Sequence, residues 1–469
     1  MLLLSVLFLL SGPIHAAGFG DDFARWYQAN SARGLGSSCS AGLAWFESHL
    51  LESCLAMFEA TGNRVWLERF TLHADTMLAV AADGGAETSW PGYRDGFRGW
   101  GTTRYDRQNR YQEYLVHDAC IGLPLLRFAR MVFADPALQS DGLDRARRYV
   151  AFVEHDIIAK WYANRAATRG RGEELEHFGG WRNLPYNQFL AFGELLLLAR
   201  DLRQSPLHPG PDLRVPDGFL SAVPDTMARL LKAGLRHDPE HDAYSWYHMP
   251  PTRPDPRPED LAHANLVVGF VLEAAGQGMV FTAEDIARFR RGFTEVAWNG
   301  SLARSRLSRF VDGSGPADSV LALFDWVRLG GTAAPIAAAL RPRLSAAMNA
   351  GAARTAALLA WSEVRQQNES KTAVPTSATD SLLSVVPAVF RSSTAVRYQV
   401  GAAGPVRIAV HDLSGRLVRV LVCGWREPGV YTVCWRGHDE ESRPVAAGAF
   451  ILRLSAPGSA ASRRVVLLP

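Results

Sequence analysis

Apolar residues recur every three or four positions through most of the chain, from about Asp21 to Arg365. This spacing places them on one face of an α-helix. The clearest examples are LLESCLAMFEATG, LERFTLHADTMLAVAA, YNQFLAFGELLLLARDL, PDTMARLLKAGL and LAHANLVVGFVLEAAGQG. The pattern predicts about ten to twelve helices joined by short or medium loops. Helix hairpins that repeat in this way indicate an α/α toroid or an open α-solenoid.

Three long segments favour the toroid. They run from Trp90 to Tyr111, from Arg169 to Asn183 and from His237 to Asp260, and each mixes charged with aromatic residues. Long loops in a compact domain are commonly functional. Within the helical region Pro124 lacks the N–H that would bond an earlier carbonyl, so we expect its helix to kink or stop there. The expected fold class is mainly α, with an α/α toroid over residues 18–365.

The periodicity changes after residue 365. Residues 366–386 are rich in Ser, Thr and other polar side chains, which predicts a linker. Residues 387–469 alternate apolar with polar positions, and turn residues stand at Ser414-Gly415 and Pro428-Gly429. Alternation bounded by such turns predicts a small antiparallel β-sandwich at the C-terminal end.

The first 17 residues predict a secretory signal peptide. Leu2 to Leu10 form an apolar run that is too short to span a bilayer, although no Lys or Arg precedes it. Gly12 and Pro13 end the run, and Ala16-Ala17 offers small residues for cleavage. We therefore expect export through the periplasm to the medium or the cell surface. No other segment is long and apolar enough to be a membrane span.

The C-terminal segments HDLSGRLVRVLV, GVYTVCWRGHDE, RPVAAGAFILRL and RRVVLLP carry a family resemblance. They resemble the C-terminal Ig-like sorting domain of type IX secreted bacterial proteins, and equally the related Ig-like domain of flagellar hook-capping proteins. The resemblance covers about Pro387 to Pro469, but the Asn of the usual opening Asn-Pro-Phe element is missing here. It implies export machinery as a partner and says nothing about the chemistry upstream.

Composition narrows the possible partners. The 50 basic and 47 acidic side chains give a net charge of +3, which argues against nucleic acid or an anionic membrane. Thirteen Trp, twelve Tyr and 22 Phe supply enough aromatic surface for a sugar-binding groove. The five cysteines show no zinc pattern, and in an exported protein Cys39 could pair with Cys54, or Cys423 with Cys434.

Candidate chemistry begins with YQEYLVHDACIGLPLLRFAR, Tyr111 to Arg130, which is largely apolar but has titratable residues in its middle. Burying an unpaired charge costs several kcal/mol, so such groups must be paired, hydrated or functional. On a helix they form one polar stripe, composed of Glu113, Tyr114, His117 and Asp118. The stripe either faces the central cavity of a toroid or ties two helices together through a His–Asp pair. The structural pair is slightly favoured for Asp118.

Two further helix starts carry polar residues. GGWRNLPYNQF brings Trp181, Asn183, Tyr186 and Asn187 to a helix N-terminus, where amides and free backbone N–H groups bind carboxylates. The alternative here is that Asn183 caps the helix and Trp181 packs on it. PEDLAHAN places Asp260, His263 and Asn265 in the first turns of another helix, after the aromatic segment that contains Trp246. The alternative at this second start is a histidine paired with its own helix cap. Asp312 stands in RFVDGSGPADS, which more simply predicts a turn.

The helical pattern, the export signal and the aromatic loops together resemble the broad α/α-toroid class of carbohydrate-active enzymes, which includes polysaccharide lyases, uronyl C5-epimerases and inverting glycosidases. NLPYNQF and EDLAHAN echo motifs of that class. The resemblance is one of architecture, so no family's catalytic set is carried over. The leading hypothesis is an exported enzyme that acts on an acidic, uronic-acid polysaccharide by β-elimination or C5 epimerisation.

Both reactions need a base near C5 and a group that neutralises the uronate carboxylate. We assign the base to His117 or His263 and the partner acid to Tyr186. Under this hypothesis Asp118 and Asp260 orient the histidines, and Arg182 and Asn187 bind the carboxylate. Trp181 and Trp246 stack on sugar rings. Further substrate contacts come from Glu113, Tyr114, Asn265 and Asp312.

Two alternatives stay open. An inverting glycosidase needs two carboxyl groups about 6.5–9.5 Å apart, which Glu113 or Asp118 together with Asp260 or Asp312 would supply. A non-catalytic toroid at the cell surface would instead bind a glycan or a protein. The sequence has no GxSxG, Walker or HExxH motif and requires no cofactor. No metal is assigned, because nothing in the spacing demands that the histidines and Asp260 converge.

Overall fold

The computed structural model describes residues 18–468, with gaps at 84–94, 106–110, 164–180, 254, 302–303, 317–321, 331–335, 337–339, 341–348, 373–382, 387, 392, 401–403, 427–428, 441–442 and 457–458. The chain divides into two compact units, residues 1–367 and 368–469. Each unit has its own hydrophobic core. The predicted signal peptide and most of the predicted loop at 169–183 lie outside the described residues.

The first unit is built from helices. In chain order they are α1 (Phe19–Asn30), α2 (Ser48–Thr61), α3 (Val65–Ala79), α4 (Leu115–Ala134), α5 (Pro136–Phe152), α6 (Ala159–Ala163), α7 (Tyr186–Arg203), α8 (Asp217–Gly234), α9 (Leu261–Gly276), α10 (Ala283–Arg291), α11 (Phe324–Arg328) and α12 (Ala350–Thr372). Short helical turns include Ser31–Arg33, Ser40–Gly42, Leu43–Glu47, Val153–Ile158, Trp181–Asn183 and Gly292–Ala297. Two small hairpins pair β1 (Ala82–Asp83) with β2 (Arg98–Gly99), and β3 (Arg236–Asp238) with β4 (Ala243–Ser245).

The helices form two layers around a ring. Helices α2, α4, α7, α9 and α11 pack side by side in that order, while α3, α5, α8 and α10 each pack against the inner helix that precedes them in the chain. Helix α12 closes the ring, because Arg354 Nη2 lies 3.9 Å from Asp325 Oδ2 on α11 and 3.7 Å from Glu52 Oε2 on α2. The mainly α class and the α/α toroid are therefore confirmed.

The difference between the layers follows from the sequence. Nearly every residue of α7 and α9 is buried, since both helices are apolar on most of their circumference. Helix α8 instead buries one stripe and leaves its polar face in solvent. Gly193 lets two inner helices approach closely, because a Cβ at this position would lie only 2.8 Å from the ring of Phe270 on α9.

Helix α4 differs from the prediction both at its start, expected near Tyr111, and at Pro124, where a kink or an end was expected. It begins at Leu115, so Tyr111 to Tyr114 precede the helix in extended backbone, and it passes through Pro124 without ending. A proline within a helix costs about 3 kcal/mol or more. Its neighbours Leu123, Leu125 and Leu126 are at most 4% exposed, and each buried leucine contributes about 1.5–3 kcal/mol, which offsets that cost.

The second unit is a small β-sandwich. Its strands are β5 (Leu383–Val386), β6 (Val389–Phe390), β7 (Thr394–Val400), β8 (Gly404–Asp412), β9 (Leu417–Arg426), β10 (Gly429–Trp435), β11 (Gly448–Ala456) and β12 (Ser459–Leu467). They form a three-stranded sheet in the order β10-β7-β5 and a five-stranded sheet in the order β6-β12-β11-β8-β9. Side chains of both sheets share one core around Trp435. The predicted sandwich is confirmed, with one parallel pair, β6 with β12, among antiparallel ones.

Neither of the two possible cysteine pairs forms a disulfide among the described residues. Cys39, Cys54 and Cys434 are free thiols. The Cys39 thiol donates instead to the Thr102 hydroxyl at 3.4 Å. In the sandwich, strand register places Cys434 opposite Ala395 on β7, whereas Cys423 lies opposite Arg407 on β8 in the other sheet.

Candidate functional site

A network of ion pairs built on buried carboxylates lies where the inner helices meet. Arg127 on α4 donates to Glu52 on α2 and to Glu194 on α7. One turn later, Nη1 of Arg130 contacts both carboxylate oxygens of Glu273 on α9, at 2.9 and 3.1 Å. These three carboxylates are at most 9% exposed. Because buried charges persist only when they are paired, each arginine here depends on the acids that hold it.

The same network reaches the end of the ring formed by α11 and α12. Arg328 donates to Asp325 at 2.6 Å, and Arg354 lies between Asp325 and Glu52. The backbone around these charges is closely packed, because a Cβ on Gly269 would come within 3.2 Å of Asp325 Oδ2. Ion pairs thus connect the inner helices α2, α4, α7 and α9 with one another and with the closing helices α11 and α12.

Glu52 and the arginines of this network line a cavity of about 610 Å³. Five guanidinium groups face it, from Arg127, Arg130, Arg328, Arg354 and Arg365. Among the described residues its carboxylates are fewer, namely Glu52, Glu59 and Asp135, and apolar side chains such as that of Trp361 fill the remaining wall. A cavity of this size accepts a small organic molecule. It lies toward the C-terminal ends of α2, α4 and α9.

The carboxyl groups of this region differ in their protonation. Burial raises the pKa of Glu59, an effect that Glu52 reinforces and Arg328 opposes. Burial also raises the pKa of Glu194 against the attraction of Arg127. For Asp325 burial acts in the same direction, but the neighbouring arginines outweigh it and its pKa is lowered. The charged network beside the cavity therefore combines a firmly ionised carboxylate with carboxyl groups that retain a proton more readily.

The sequence-predicted residues at the start of α4 lie elsewhere. Glu113 and Asp118 flank Lys160 of α6, whose Nζ lies 2.6 Å from Glu113 Oε2 and 2.7 Å from Asp118 Oδ2. The Tyr111 hydroxyl donates to Glu113 at 3.0 Å, and the Trp161 indole N–H donates to Asp118 at 2.7 Å. All five side chains are buried. The charged partner of Asp118 is therefore Lys160.

His117 and Tyr114 belong to a separate aromatic cluster. The Nδ1 atom of His117 lies 2.9 Å from the Ser40 hydroxyl, and its ring meets Trp45 edge-on and Tyr114 at 4.9 Å. The side chain is only 2% exposed. Burial, helped by the charge of Arg104, lowers the pKa of His117 to about 4. The imidazole is consequently neutral near pH 7.

Four predicted residues gather at the start of α7, but they point in different directions. Trp181 is buried beneath the guanidinium of Arg182, 4.6 Å from its ring. The Tyr186 hydroxyl donates to the Leu230 carbonyl on the outer helix α8 at 3.3 Å. Asn187 is 4% exposed, and its Oδ1 has no hydrogen-bond partner among the described residues. The tyrosine is thus directed to the outer layer of the ring.

At the start of α9, Asp260 caps the helix. Its Oδ1 accepts from the His263 backbone N–H at 2.9 Å, and its Oδ2 lies 2.6 Å from His263 Nδ1. Asn265, one turn further on, accepts from the backbone N–H of Asp325 at 2.9 Å and so ties α9 to α11. Asp260 and His263 are therefore in direct contact, as their spacing on a helix allows.

The last two predicted residues serve local structure. Trp246 is 1% exposed and packs with Trp326 in the core, so neither face of its ring is open to a sugar. Asp312 accepts from the backbone N–H and the hydroxyl of Ser314, at 3.0 and 2.6 Å, and closes a turn. The contacts of the described residues thus place the predicted residues in several separate groups.

Sequence reasoning did not find the charged cavity. Its signal is present, because Glu52, Glu194 and Glu273 each stand alone in an apolar helical run. A lone charge in such a run needs a buried partner. Arg127, one such partner, lies about 14 Å beyond Asp118 along α4, at 1.5 Å per residue, so it is far from the polar residues at the start of that helix.

No family model matches the chain, and no curated protein matches it. Among solved structures, the chain is similar to the alkylpurine DNA glycosylase AlkC of Pseudomonas fluorescens bound to DNA containing an abasic site analog. The identity is 10%, the match covers 92% of this chain and 99% of that chain, and the TM-score is 0.14. A likeness with so low a TM-score carries no inference about this chain.

Two predictions are nevertheless corrected. The similar structure is that of a DNA glycosylase bound to DNA, so it supports neither the predicted reaction on an acidic polysaccharide nor the predicted absence of a nucleic-acid partner, and neither prediction is retained. The separate positions of His117, Tyr186 and His263 agree with the first correction. DNA binding is not carried over to this chain. Among the described residues no helix is long and apolar enough to cross a membrane.

Proposed function

We propose that the first unit binds a small anionic molecule in the arginine-lined cavity. The observation that carries this proposal is the set of guanidinium groups that buried carboxylates hold in place around a cavity of about 610 Å³. Arginine presents five N–H donors in a planar fork that matches carboxylate and phosphate groups. Donors that are fixed before binding lose little conformational entropy when the ligand arrives.

The arginines retain donors for a ligand. Arg130 uses a single nitrogen, Nη1, for its two bonds to Glu273. The Nε atom of Arg354 is buried and has no hydrogen-bond partner among the described residues. A buried N–H without a partner costs about 1–3 kcal/mol, which an oxyanion in the cavity would remove. Charge-assisted hydrogen bonds of this kind are the strong ones.

The apolar part of the wall narrows the ligand class. Leu55, Met131 and Leu358 line the cavity together with Trp361, and the guanidinium of Arg365 lies 5.3 Å from the Trp361 ring. This arrangement suits a molecule with one anionic group and an apolar or aromatic body.

Calorimetric titration of the full chain tests the proposal with benzoate and phenyl phosphate as anions and benzyl alcohol as the neutral analogue. We expect the anions to bind and benzyl alcohol not to bind. Arg130→Gln and Arg365→Gln should weaken anion binding about tenfold or more, since a hydrogen bond to a charged group is worth about 1.5–3 kcal/mol.

Arg229→Gln is the matched control, because Arg229 pairs with Asp225 on the exposed face of α8, away from the cavity. Its anion affinity should equal that of the wild type. Two results would overturn the proposal: no anion binding by the folded wild-type chain, or an equal loss of affinity in the control variant.

We propose separately that the second unit directs export to the cell surface. The supporting observations are the segments that resemble sorting domains and the apolar N-terminal run. HDLSGRLVRVLV spans the end of β8, a turn at Ser414-Gly415 and most of β9, and AGAFILRL coincides with β11. The patches that carry the resemblance are thus elements of one folded sandwich.

Expression in a bacterium with type IX secretion tests this second proposal. We expect the full chain to be accessible to added protease at the cell surface, with a mature N-terminus near Gly18. A chain that ends at Gln367 should remain in the periplasm. Equal retention of both chains inside the cell, or an uncleaved N-terminus, would refute it.

A further inference from the structure

Four side chains form a compact group at the start of α9, outside the arginine-lined cavity: His248, Glu259, Asp260 and His263, here called the α9 cluster. His248 Nδ1 lies 3.0 Å from Glu259 Oε1, and His263 Nδ1 lies 2.6 Å from Asp260 Oδ2. One possible ligand atom from each of Glu259, Asp260 and His263 lies within 4.8 Å of the others. The two imidazole rings are 6.2 Å apart.

The backbone holds this cluster firmly. The Glu259 N–H donates to the Trp246 carbonyl at 3.1 Å, and the Glu259 carbonyl accepts from Val311 at 2.9 Å. Asp260 forms a bridge with Phe310 on the same side. Residues 259–260 are thus fixed between two neighbouring segments, and the first turn of α9 follows directly. Side chains anchored in this way are positioned before any ligand binds.

One oxygen atom of the α9 cluster is buried without a hydrogen-bond partner among the described residues. Glu259 is 1% exposed, and its Oε2 is buried with no hydrogen-bond partner among the described residues. Its other oxygen is held by His248. Buried polar groups are normally satisfied, and a carboxylate oxygen left without a partner is costly. A cation beside Oε2 would satisfy it.

We propose that the α9 cluster binds a divalent transition-metal ion. Glu259 Oε2, Asp260 Oδ2 and His263 Nδ1 are its ligands, and His248 holds Glu259 in position. In the free protein a proton lies between Oδ2 and Nδ1, and the metal ion replaces it, releasing that proton to solvent. One imidazole nitrogen with two carboxylates suits Zn²⁺ or Mn²⁺ better than Ca²⁺, which takes six to eight oxygens.

The distances are compatible with such an ion. In a tetrahedral site with bonds of about 2.1 Å, neighbouring ligand atoms lie about 3.4 Å apart. The Asp260–His263 contact is 2.6 Å, and one potential ligand atom from each of the three residues lies within 4.8 Å of the others, so the separations in the free cluster bracket this value. Small side-chain rotations therefore complete the site. The ion has a route from solvent, because about half of the His263 side chain is exposed.

Helix capping alone explains fewer of these observations than a metal site does. It explains the bonds between Asp260 and His263, but it explains neither the buried Glu259 nor the partnerless Oε2. The chain offers a matched comparison in Asp238 and His241, which have the same spacing and a contact of 2.7 Å. Among the described residues that pair belongs to no group of three potential ligands. It should therefore bind no metal.

The test is calorimetric titration of the full chain with Zn²⁺ and with Mn²⁺ after treatment with EDTA, together with elemental analysis of the dialysed protein. We expect one equivalent of bound metal. Co²⁺ should give visible absorption bands of a low-coordinate site. Glu259→Gln and His263→Ala should each weaken binding about 100-fold, a loss of the size that site residues commonly show.

His241→Ala is the matched control and should leave the affinity unchanged. Circular dichroism must show that all variants are folded, and Glu259→Gln keeps the shape of the side chain for that reason. Absence of stoichiometric metal in the wild type would overturn the proposal. So would variants of Glu259 and His263 that bind as tightly as the control.

Discussion

Lys160 offers the sharpest test of how this fold tolerates buried charge. Its side chain is fully buried, and its Nζ contacts Glu113 and Asp118 at 2.6 and 2.7 Å. Lys160→Met keeps a flexible side chain of similar length and removes the charge. The two carboxylates are then left in a buried site without their shared cation.

The expected loss follows from two opposing contributions. At an effective dielectric constant of about 20, unit charges at these distances attract by about 6 kcal/mol per contact. Desolvation of the three charges offsets most of that attraction in the wild type. Removal of the lysine leaves the desolvation cost of the carboxylates without the attraction. We therefore expect the free energy of unfolding of the first unit to fall by about 3–5 kcal/mol at about pH 8.

The loss should depend on pH in a definite direction. Burial raises the pKa of Glu113 to about 7 even against the attraction of Lys160, and the substitution raises it further. A carboxyl group whose pKa is higher in the folded state stabilises that state at low pH, and this contribution is lost as the pH rises. The cost of Lys160→Met should therefore shrink between about pH 8 and about pH 5. Adding Glu113→Gln should recover much of the stability at the higher pH.

Urea unfolding followed by far-UV circular dichroism measures this effect, because the helical signal reports on the first unit. Lys232→Met is the matched control: Lys232 is partly exposed, and its partner Asp285 keeps hydrogen bonds to Tyr244 and Thr282. That variant should lose no more than about 1 kcal/mol. The reasoning is refuted if Lys160→Met loses no more than the control, or if its loss is the same at both pH values.

Three further outcomes follow from the structure. The pKa of His117 is about 4 in the folded protein and 6.5 in the unfolded chain, so the unfolded chain takes up a proton first as the pH falls. About 3 kcal/mol of stability should therefore be lost between pH 6.5 and pH 4. His117→Gln should flatten that part of a plot of unfolding free energy against pH. Gly101→Ala places a Cβ 2.2 Å from the Tyr111 ring and should lower the free energy of unfolding by about 1–3 kcal/mol, whereas Gly218→Ala, with open space around it, should not. Thiol labelling of the native protein should modify exposed Cys434 well before the buried thiols, whose pKa burial raises, Cys54 and Cys120.

Local patterns in the sequence were sufficient to predict several of the helices. The apolar repeat predicted α7 and α9 close to their observed limits, and Asp260 caps a helix where the sequence indicated a start. The change to alternation after residue 365 likewise predicted the β-sandwich. These features depend on neighbours three or four residues away in a helix or two away in a strand, so they can be read from the chain alone.

The sequence by itself therefore determined the mainly α class, the terminal sandwich and the presence of titratable residues within one helix and at the starts of two others. Only the tertiary structure decided which charges meet. Lys160 lies far along the chain from Glu113 and Asp118, and Arg354 closes the ring against residues of α2 some 300 positions earlier. Contacts across a ring depend on which helix faces pack together. A periodic pattern identifies the buried face of each helix but not the helix that covers it.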